Sequence, residues 1–262
     1  MITSVQNPKV QRVRALQTRR RRRDQEEALI VEGVRLLDEA IAAQLEPQIL
    51  FYCGKLTNRG QKMVDHYRQA GVDVEEISRH VMNRISKTET SQGALAIFDH
   101  IALPFPEQPD FILILDRLRD PGNLGSVLRS ASAAGVQGVF LAPGTTDPFS
   151  PKVLRAGMGA HFKLPLQIAP WSQIIDFCRQ QPSTPLRLFS ADVEAGQMPW
   201  AVDLRQPLAL IIGGEAEGIN PQVGSLMDAS LTIPMTAESE SINAAAAAAI
   251  LVFEVVRQRK PM

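Results

Sequence analysis

Five consecutive apolar residues, Phe111 to Leu115, run into Asp116-Arg117-Leu118-Arg119-Asp120-Pro121-Gly122-Asn123, and this junction limits what the chain can become. An unbroken apolar run of that length suits a parallel strand buried on both faces, and Pro-Gly is a turn signal. Leu124, Val127, Leu128 and Ala131 then recur at helical spacing. A helix is therefore predicted straight after the turn, with Asn123 at its N-cap and Arg129 off the buried stripe. A strand, a sharp turn and a helix in that order set an amide and a cation beside a cleft.

Two later segments repeat the layout. Leu208 to Ile212 is an apolar strand running into Gly213-Gly214-Glu215-Ala216-Glu217-Gly218-Ile219, and Leu231-Thr232-Ile233-Pro234-Met235 leads to Glu240-Ser241-Ile242-Asn243 and an alanine-rich helix. Strands near 111 to 115, 138 to 142, 186 to 191, 208 to 212 and 230 to 233, separated by helix-sized segments, predict an α/β fold with a parallel sheet covered on both faces. Upstream, strands at 29 to 33, 49 to 53, 74 to 77 and 94 to 98 alternate with helices from 34 to 44, 59 to 70 and 79 to 85, which makes a smaller α/β domain. Leu103-Pro104-Phe105-Pro106-Glu107-Gln108-Pro109 has neither periodicity. The expected division is a domain over 1–103, a stiff Pro-rich linker over 104–109 and a second domain over 110–262.

A chain of 262 residues that is 45% hydrophobic can supply a core to each of two domains. It has neither a run of about 18 apolar residues nor an apolar signal core, so a soluble, cytoplasmic protein without a membrane segment is expected. Cys53 and Cys178 read as buried free thiols, and His66, His80, His100 and His161 share no ligand spacing, so no metal is expected. Lys and Arg balance Asp and Glu at 28 each. The balance is local: residues 1–23 hold Lys9, Arg12, Arg14, Arg19, Arg20, Arg21, Arg22 and Arg23 and no acid. Such a cationic arm on an acidic body attracts a phosphate backbone, with salt-sensitive contacts; a frayed solvated terminus or a transit peptide are the alternatives.

In their order and separation the three junctions resemble the three motifs of the SpoU-type, or TrmH-type, RNA ribose 2'-O-methyltransferases of the SPOUT superfamily. The resemblance is strongest from Phe111 to Arg259. Ser4-Val5-Gln6-Asn7-Pro8, Val31-Glu32-Gly33-Val34-Arg35 and Thr88-Glu89-Thr90-Ser91-Gln92-Gly93 are similar to the N-terminal substrate-binding domain of many such enzymes, a domain akin to a ribosomal RNA-binding protein. The resemblance implies S-adenosyl-L-methionine as cofactor, a deep trefoil knot that forms its pocket, a homodimer, and structured RNA as substrate, ribosomal RNA before tRNA. It implies a catalytic set in which Asn123 and Arg129 stand at the reacting ribose, Glu215 organises the glycine loop and the site near the cofactor, and Ser241 and Asn243 belong to the third motif. Gly213, Gly214, Ile233 and Ile242 would meet the cofactor, with Ser190 a neighbour in the preceding strand. Ala237, Glu238 and Ala245 depart from the family pattern, and Ala245 removes a hydroxyl.

A ribose 2'-hydroxyl is a poor nucleophile at neutral pH, so its site must take the proton or stabilise the developing alkoxide. The family motif offers Arg129 as general base, yet a guanidinium keeps its proton in proteins. Arg129 suits a second task better, holding a phosphate and the reacting oxygen while its charge stabilises the alkoxide. The rivals are weaker. A phosphate loop would want Lys-Ser or Lys-Thr after the glycines, where two acids stand instead. A dehydrogenase would want Gly-x-Gly-x-x-Gly at the first helix. An RNA-binding or ribosome-assembly factor without turnover stays open.

Overall fold

Hydrophobic period dictates most of the elements in the computed structural model, which describes residues 1–193, 196–214, 218–235 and 241–260. In chain order these are α1 (Pro8–Thr18), α2 (Arg20–Glu26), β1 (Ala28–Glu32), α3 (Val34–Ala42), β2 (Ile49–Tyr52), α4 (Asn58–Gln69), β3 (Asp73–Glu76), α5 (Arg79–Ile85) and β4 (Ala94–Asp99). There follow β5 (Phe111–Asp116), α6 (Pro121–Ala133), β6 (Gly138–Leu141), α7 (Pro151–Gly157), β7 (Leu166–Ile168), α8 (Trp171–Arg179), β8 (Arg187–Ala191), β9 (Leu208–Gly213), α9 (Pro221–Gly224), β10 (Ala229–Leu231) and α10 (Ala244–Arg259). The chain divides into two compact units, one of residues 1–101 with 149–162 and one of residues 102–148 with 163–262.

In the first unit the sheet runs β1-β4-β2-β3, antiparallel except for the parallel pair β2 and β3. Side chains alternate faces along a strand. Leu29 and Val31 therefore pack with Leu37 of α3 and Tyr67 of α4, while Ala28 and Ile30 pack with Val13 and Leu16 of α1 and Val81 of α5. β1 is buried along its whole length because both faces are covered. Leu154 of α7 and Phe162 join the first of these clusters, although they follow β6 in sequence. The N-terminal segment is not a frayed arm: Val10, Val13 and Leu16 are fully buried.

The second unit holds a six-stranded sheet, β10-β8-β9-β5-β6-β7, parallel at every pairing. All its strands therefore present their C-terminal ends at one edge. One face buries Ile112, Phe140 and Ile211 against Ile174 and Cys178 of α8. On α10, Ala244, Ala248, Leu251, Val252 and Val255 make the buried stripe, and the helix packs against α6 and β9. Alanines at 244 and 248 let its backbone come close. Phe105 pins the Pro-rich segment to this unit, its ring centroid 4.4 Å from that of Phe140 and 5.4 Å from that of Phe177. Both cysteines are free and buried, and burial pushes the Cys178 thiol up to about 12. The path from β10 to α10, on which a knot depends, includes residues 236–240, which lie outside the described residues.

Candidate active site

At the end of β5 the chain turns through Arg117, a non-glycine residue in the left-handed region with φ 56. Such a conformation costs about 1–3 kcal/mol and persists only where its surroundings impose it. Here the neighbouring groups are polar. Asp116, 1% exposed, accepts from the Asn220 N–H at 2.6 Å and from Trp171 Nε1 at 3.3 Å. Arg117 Nη2 donates to the Gly218 carbonyl at 3.3 Å. The Gly218 N–H donates to the Gly214 carbonyl at 3.0 Å, so the glycine segment after β9 closes on itself above the end of β5. A Cβ at Gly213 would stand 2.6 Å from the Gly218 oxygen and 2.8 Å from the Ile219 nitrogen. Only glycine leaves room for that return.

Asp120 rather than Asn123 caps α6: its Oδ1 accepts from the Asn123 N–H at 2.8 Å and Pro121 takes the first helical position. Asn123 thus sits inside the first turn. Its Oδ1 accepts from Asn243 Nδ2 at 2.9 Å, across 120 positions of sequence. Asn243 in turn caps α10, its Oδ1 accepting from the N–H groups of Ala245 at 2.9 Å and Ala246 at 3.3 Å. One side chain therefore closes a helix and ties it to the start of another.

Beside this tie lies a cavity of about 260 Å³, bounded by the ends of β8, β9 and β10 and by the start of α10. The carboxyl ends of strands in open parallel sheets are where ligands bind. Gly213, Gly214, Ile233, Ser241, Ile242 and Asn243 line it, in the company of Asp192, Leu231, Met235 and Leu251. Among the described residues no lysine, arginine or histidine does.

Comparison with known proteins decides the family. The profile of the SpoU rRNA methylase family matches residues 110–253, and that of the MRM3-like substrate binding domain matches residues 7–96. The chain belongs to the SpoU rRNA methylase family. It is 28% identical to the 23S rRNA (guanosine(2553)-2'-O)-methyltransferase RlmP of Bacillus subtilis, over 97% of this chain and 98% of that one. Its fold matches the SpoU methyltransferase AviRb of Streptomyces viridochromogenes, solved with AdoMet, with TM-score 0.86 and 28% identity over 97% and 99% of the two chains. An AdoMet-bound rRNA methyltransferase of Sinorhizobium meliloti matches with TM-score 0.85 and 29% identity over 98% and 97%.

In this SpoU family member the residues expected around cofactor and ribose divide into groups. Gly213, Gly214, Ile233, Ile242, Ser241 and Asn243 share the cavity, and Asn123 is bonded to it through Asn243. Ser190 does not line it; 5% exposed, its hydroxyl lies 2.8 Å from Ser230 Oγ and ties β8 to β10. Arg129 is exposed, outside the lining, with no hydrogen bond or ion pair among the described residues. Glu215, Ala237 and Glu238 lie outside the described residues. Asp192, Met235, Asp116 and Arg117 were not singled out from the sequence. The strand-end rule would have found Asp192, one residue past β8. Nothing local marks Asp116, whose partners lie 55 and 104 positions away.

The lining fits S-adenosylmethionine. That molecule has no phosphate; its one carboxylate is balanced by its own ammonium and its sulfur is a sulfonium cation, so a lining with Asp192 and no basic side chain among the described residues suits it, and its purine meets the apolar walls. A nucleotide cofactor would leave its phosphates unanswered in this cavity.

The cationic segment also divides. Arg23 is 7% exposed and donates through Nη1 to the Leu16 carbonyl at 2.6 Å, which gives it a structural role in place of the expected RNA contact. Lys9 Nζ lies 2.8 Å from Asp73 and 2.5 Å from Glu75, whose carboxylates raise its pKa. Arg12 pairs with Glu26 at 2.6 Å, and Arg22 pairs with the same carboxylate. Arg20 stands 3.7 Å from Asp24. Arg14, Arg19 and Arg21 are exposed and have no side-chain partner among the described residues. With Arg12 and Arg22, Arg14 and Arg19 border an open groove between α1 and α2. Among the described residues no helix is long and apolar enough to cross a membrane.

Proposed function

We propose that the protein transfers a methyl group from S-adenosyl-L-methionine to a ribose 2'-hydroxyl of ribosomal RNA. The carrying observation is the cation-free cavity at the strand ends, joined through the Asn243 to Asn123 bond to the helix that bears Arg129. The names of the RlmP relative and of the two AdoMet-bound structures support the same reading. Bound in the cavity, the cofactor supplies an activated methyl group, so catalysis is chiefly positioning. Gly213, Gly214, Ile233 and Ile242 hold it, and Ser241, Asn243 and Asn123 face the ribose. Arg129, open to solvent, meets the RNA phosphate and places its charge by the oxygen as the alkoxide develops. The proton leaves to water. Glu215 keeps the role of organising the glycine loop.

The domain reading is an RNA-binding half over 1–103, a linker and a methyltransferase half over 110–262, amended by residues 149–162, which belong to the first compact unit. Within the first half, Arg14, Arg19 and Arg21 are the arm residues with charge to spare for phosphate. Deleting residues 1–23 would remove core side chains with them, so the informative change is a triple replacement of Arg14, Arg19 and Arg21 by serine. It is expected to make the salt dependence of RNA binding shallower by about 2 logarithmic units per decade, at ~0.7 for each phosphate no longer neutralised. An unchanged slope makes the arm a spectator.

A homodimer belongs to the same proposal. Ile250 is 45% and Phe253 47% exposed on the outer stripe of α10, opposite its buried one, and a second copy would cover them. A light-scattering mass of a single chain in solution would end that reading.

The deciding experiment incubates the protein with tritiated-methyl S-adenosylmethionine and ribosomal RNA from a strain lacking the gene, followed by nucleoside analysis. A labelled 2'-O-methyl nucleoside is expected. Cofactor binding without label on naked or assembling ribosomal RNA would favour a binding factor without turnover.

A further inference from the structure

A second pocket, about 190 Å³, lies wholly within the first unit, between the start of α3, the 86–92 loop and α7. Its floor is Glu32, the last residue of β1 and 5% exposed. A buried carboxylate needs partners, and Glu32 has several: Ser86 Oγ at 2.5 Å, the Lys87 N–H at 3.2 Å, Thr88 Oγ1 at 3.2 Å and Arg155 Nη1 at 3.5 Å. These contacts use up the carboxylate as a brace for the polar loop. They do not use up the donors around it.

Arg155 Nη1 is buried and forms no hydrogen bond, its approach to Glu32 being an ion pair without hydrogen-bond geometry. Gln92 accepts through Oε1 from the Arg35 N–H at 3.4 Å, so its amide nitrogen faces the other way, with no acceptor among the described residues. The Arg35 guanidinium is exposed at the pocket and has no ion pair among the described residues. Gly33, with φ 105, admits no side chain there without strain. Leu36 and Met158, which holds φ 46 and is 36% exposed, are the apolar side chains of a lining that Thr88 and Thr90 complete. Two cations, an amide donor and two apolar side chains around a neutralised carboxylate call for a flat ligand rich in acceptors.

We infer that this pocket receives one unpaired nucleotide of the RNA substrate, its base between Leu36 and Met158 and its acceptor edge read by Arg35, Arg155 and Gln92. Unpaired bases are the parts of RNA whose edges a protein can reach, and a guanidinium suits the O6 and N7 acceptors of guanine. A thioether beside an aromatic ring is a favourable contact. Glu32 acts through the loop and Arg155 and does not touch the base. The inference rests on the reading that the protein acts on RNA.

The test is fluorescence anisotropy of the full chain with a fluorescein-labelled single-stranded 12-mer RNA of mixed sequence and with the corresponding 12-base-pair duplex. The variants are Arg35→Ala and Gln92→Ala, singly and together; both residues are exposed, and an unchanged melting temperature verifies the fold. The double variant is expected to bind the single strand about tenfold or more weakly, with duplex binding and S-adenosylmethionine affinity as in the wild type. Equal binding of the single strand by wild type and double variant overturns the pocket, as does a wild type that binds only duplex. A wild type that methylates no RNA yet loses single-strand affinity in the double variant keeps the pocket and removes the enzyme reading.

Discussion

Arg129→Ala is expected to slow methyl transfer about 10²–10³-fold under single-turnover conditions, the scale on which one stabiliser of a developing oxyanion acts. Cofactor affinity measured by calorimetry should stay unchanged, because Arg129 is absent from the cavity lining. Arg129→Lys separates the two roles open to this residue. An ammonium supplies the charge without the planar fork, so partial recovery points to charge stabilisation and none to bidentate holding of phosphate. Exposure on α6 makes a folding defect an unsuitable explanation for any loss. A wild-type rate in Arg129→Ala sinks the assignment.

Gly213→Val should weaken S-adenosylmethionine binding by a different route. The steric conflict is with backbone, at the Gly218 oxygen and the Ile219 nitrogen, and backbone cannot rotate away as a side chain can. The loop must open, and the bonds from Gly218 to Gly214 and from Asn220 to Asp116 open with it. Overpacking of this kind costs about 1–3 kcal/mol, which corresponds to a cofactor affinity lower by about 5- to 150-fold, with the pocket wall displaced as well as filled. Gly214→Val would meet the Arg117 backbone and serves as the parallel case. Undiminished calorimetric binding in Gly213→Val would place the cofactor elsewhere.

Where a local rule acts, the reading of the sequence and the structure coincide. β5 and β9 are the apolar runs at 111 and 208, and α5 spans Arg79–Ile85. The misses have different causes. α1 has charges at Lys9, Arg12 and Arg14, which mask the burial of Val10, Val13 and Leu16 against the first sheet. β7 is a three-residue edge strand with Gln167 and Ile168 exposed, too short and too open for a period to register. The cap of α6 moved from Asn123 to Asp120 because proline favours the first helical position, which puts the cap one residue before Pro121.

By itself the sequence determined the two α/β halves, the three strand-to-loop junctions, the glycines that permit close backbone approach, and through its motifs the family. Those are properties of neighbours in the chain: period, turn chemistry and residue type. Only the tertiary structure decided which polar groups meet. It bonded Asn123 to Asn243, set Asp116 beneath Asn220, turned Arg23 inward, left Ser190 outside the cavity and gave residues 149–162 to the first unit. A hydrogen bond spanning 120 positions leaves no periodic trace, because its energy depends on the separation of two atoms in the folded chain and not on their distance along it.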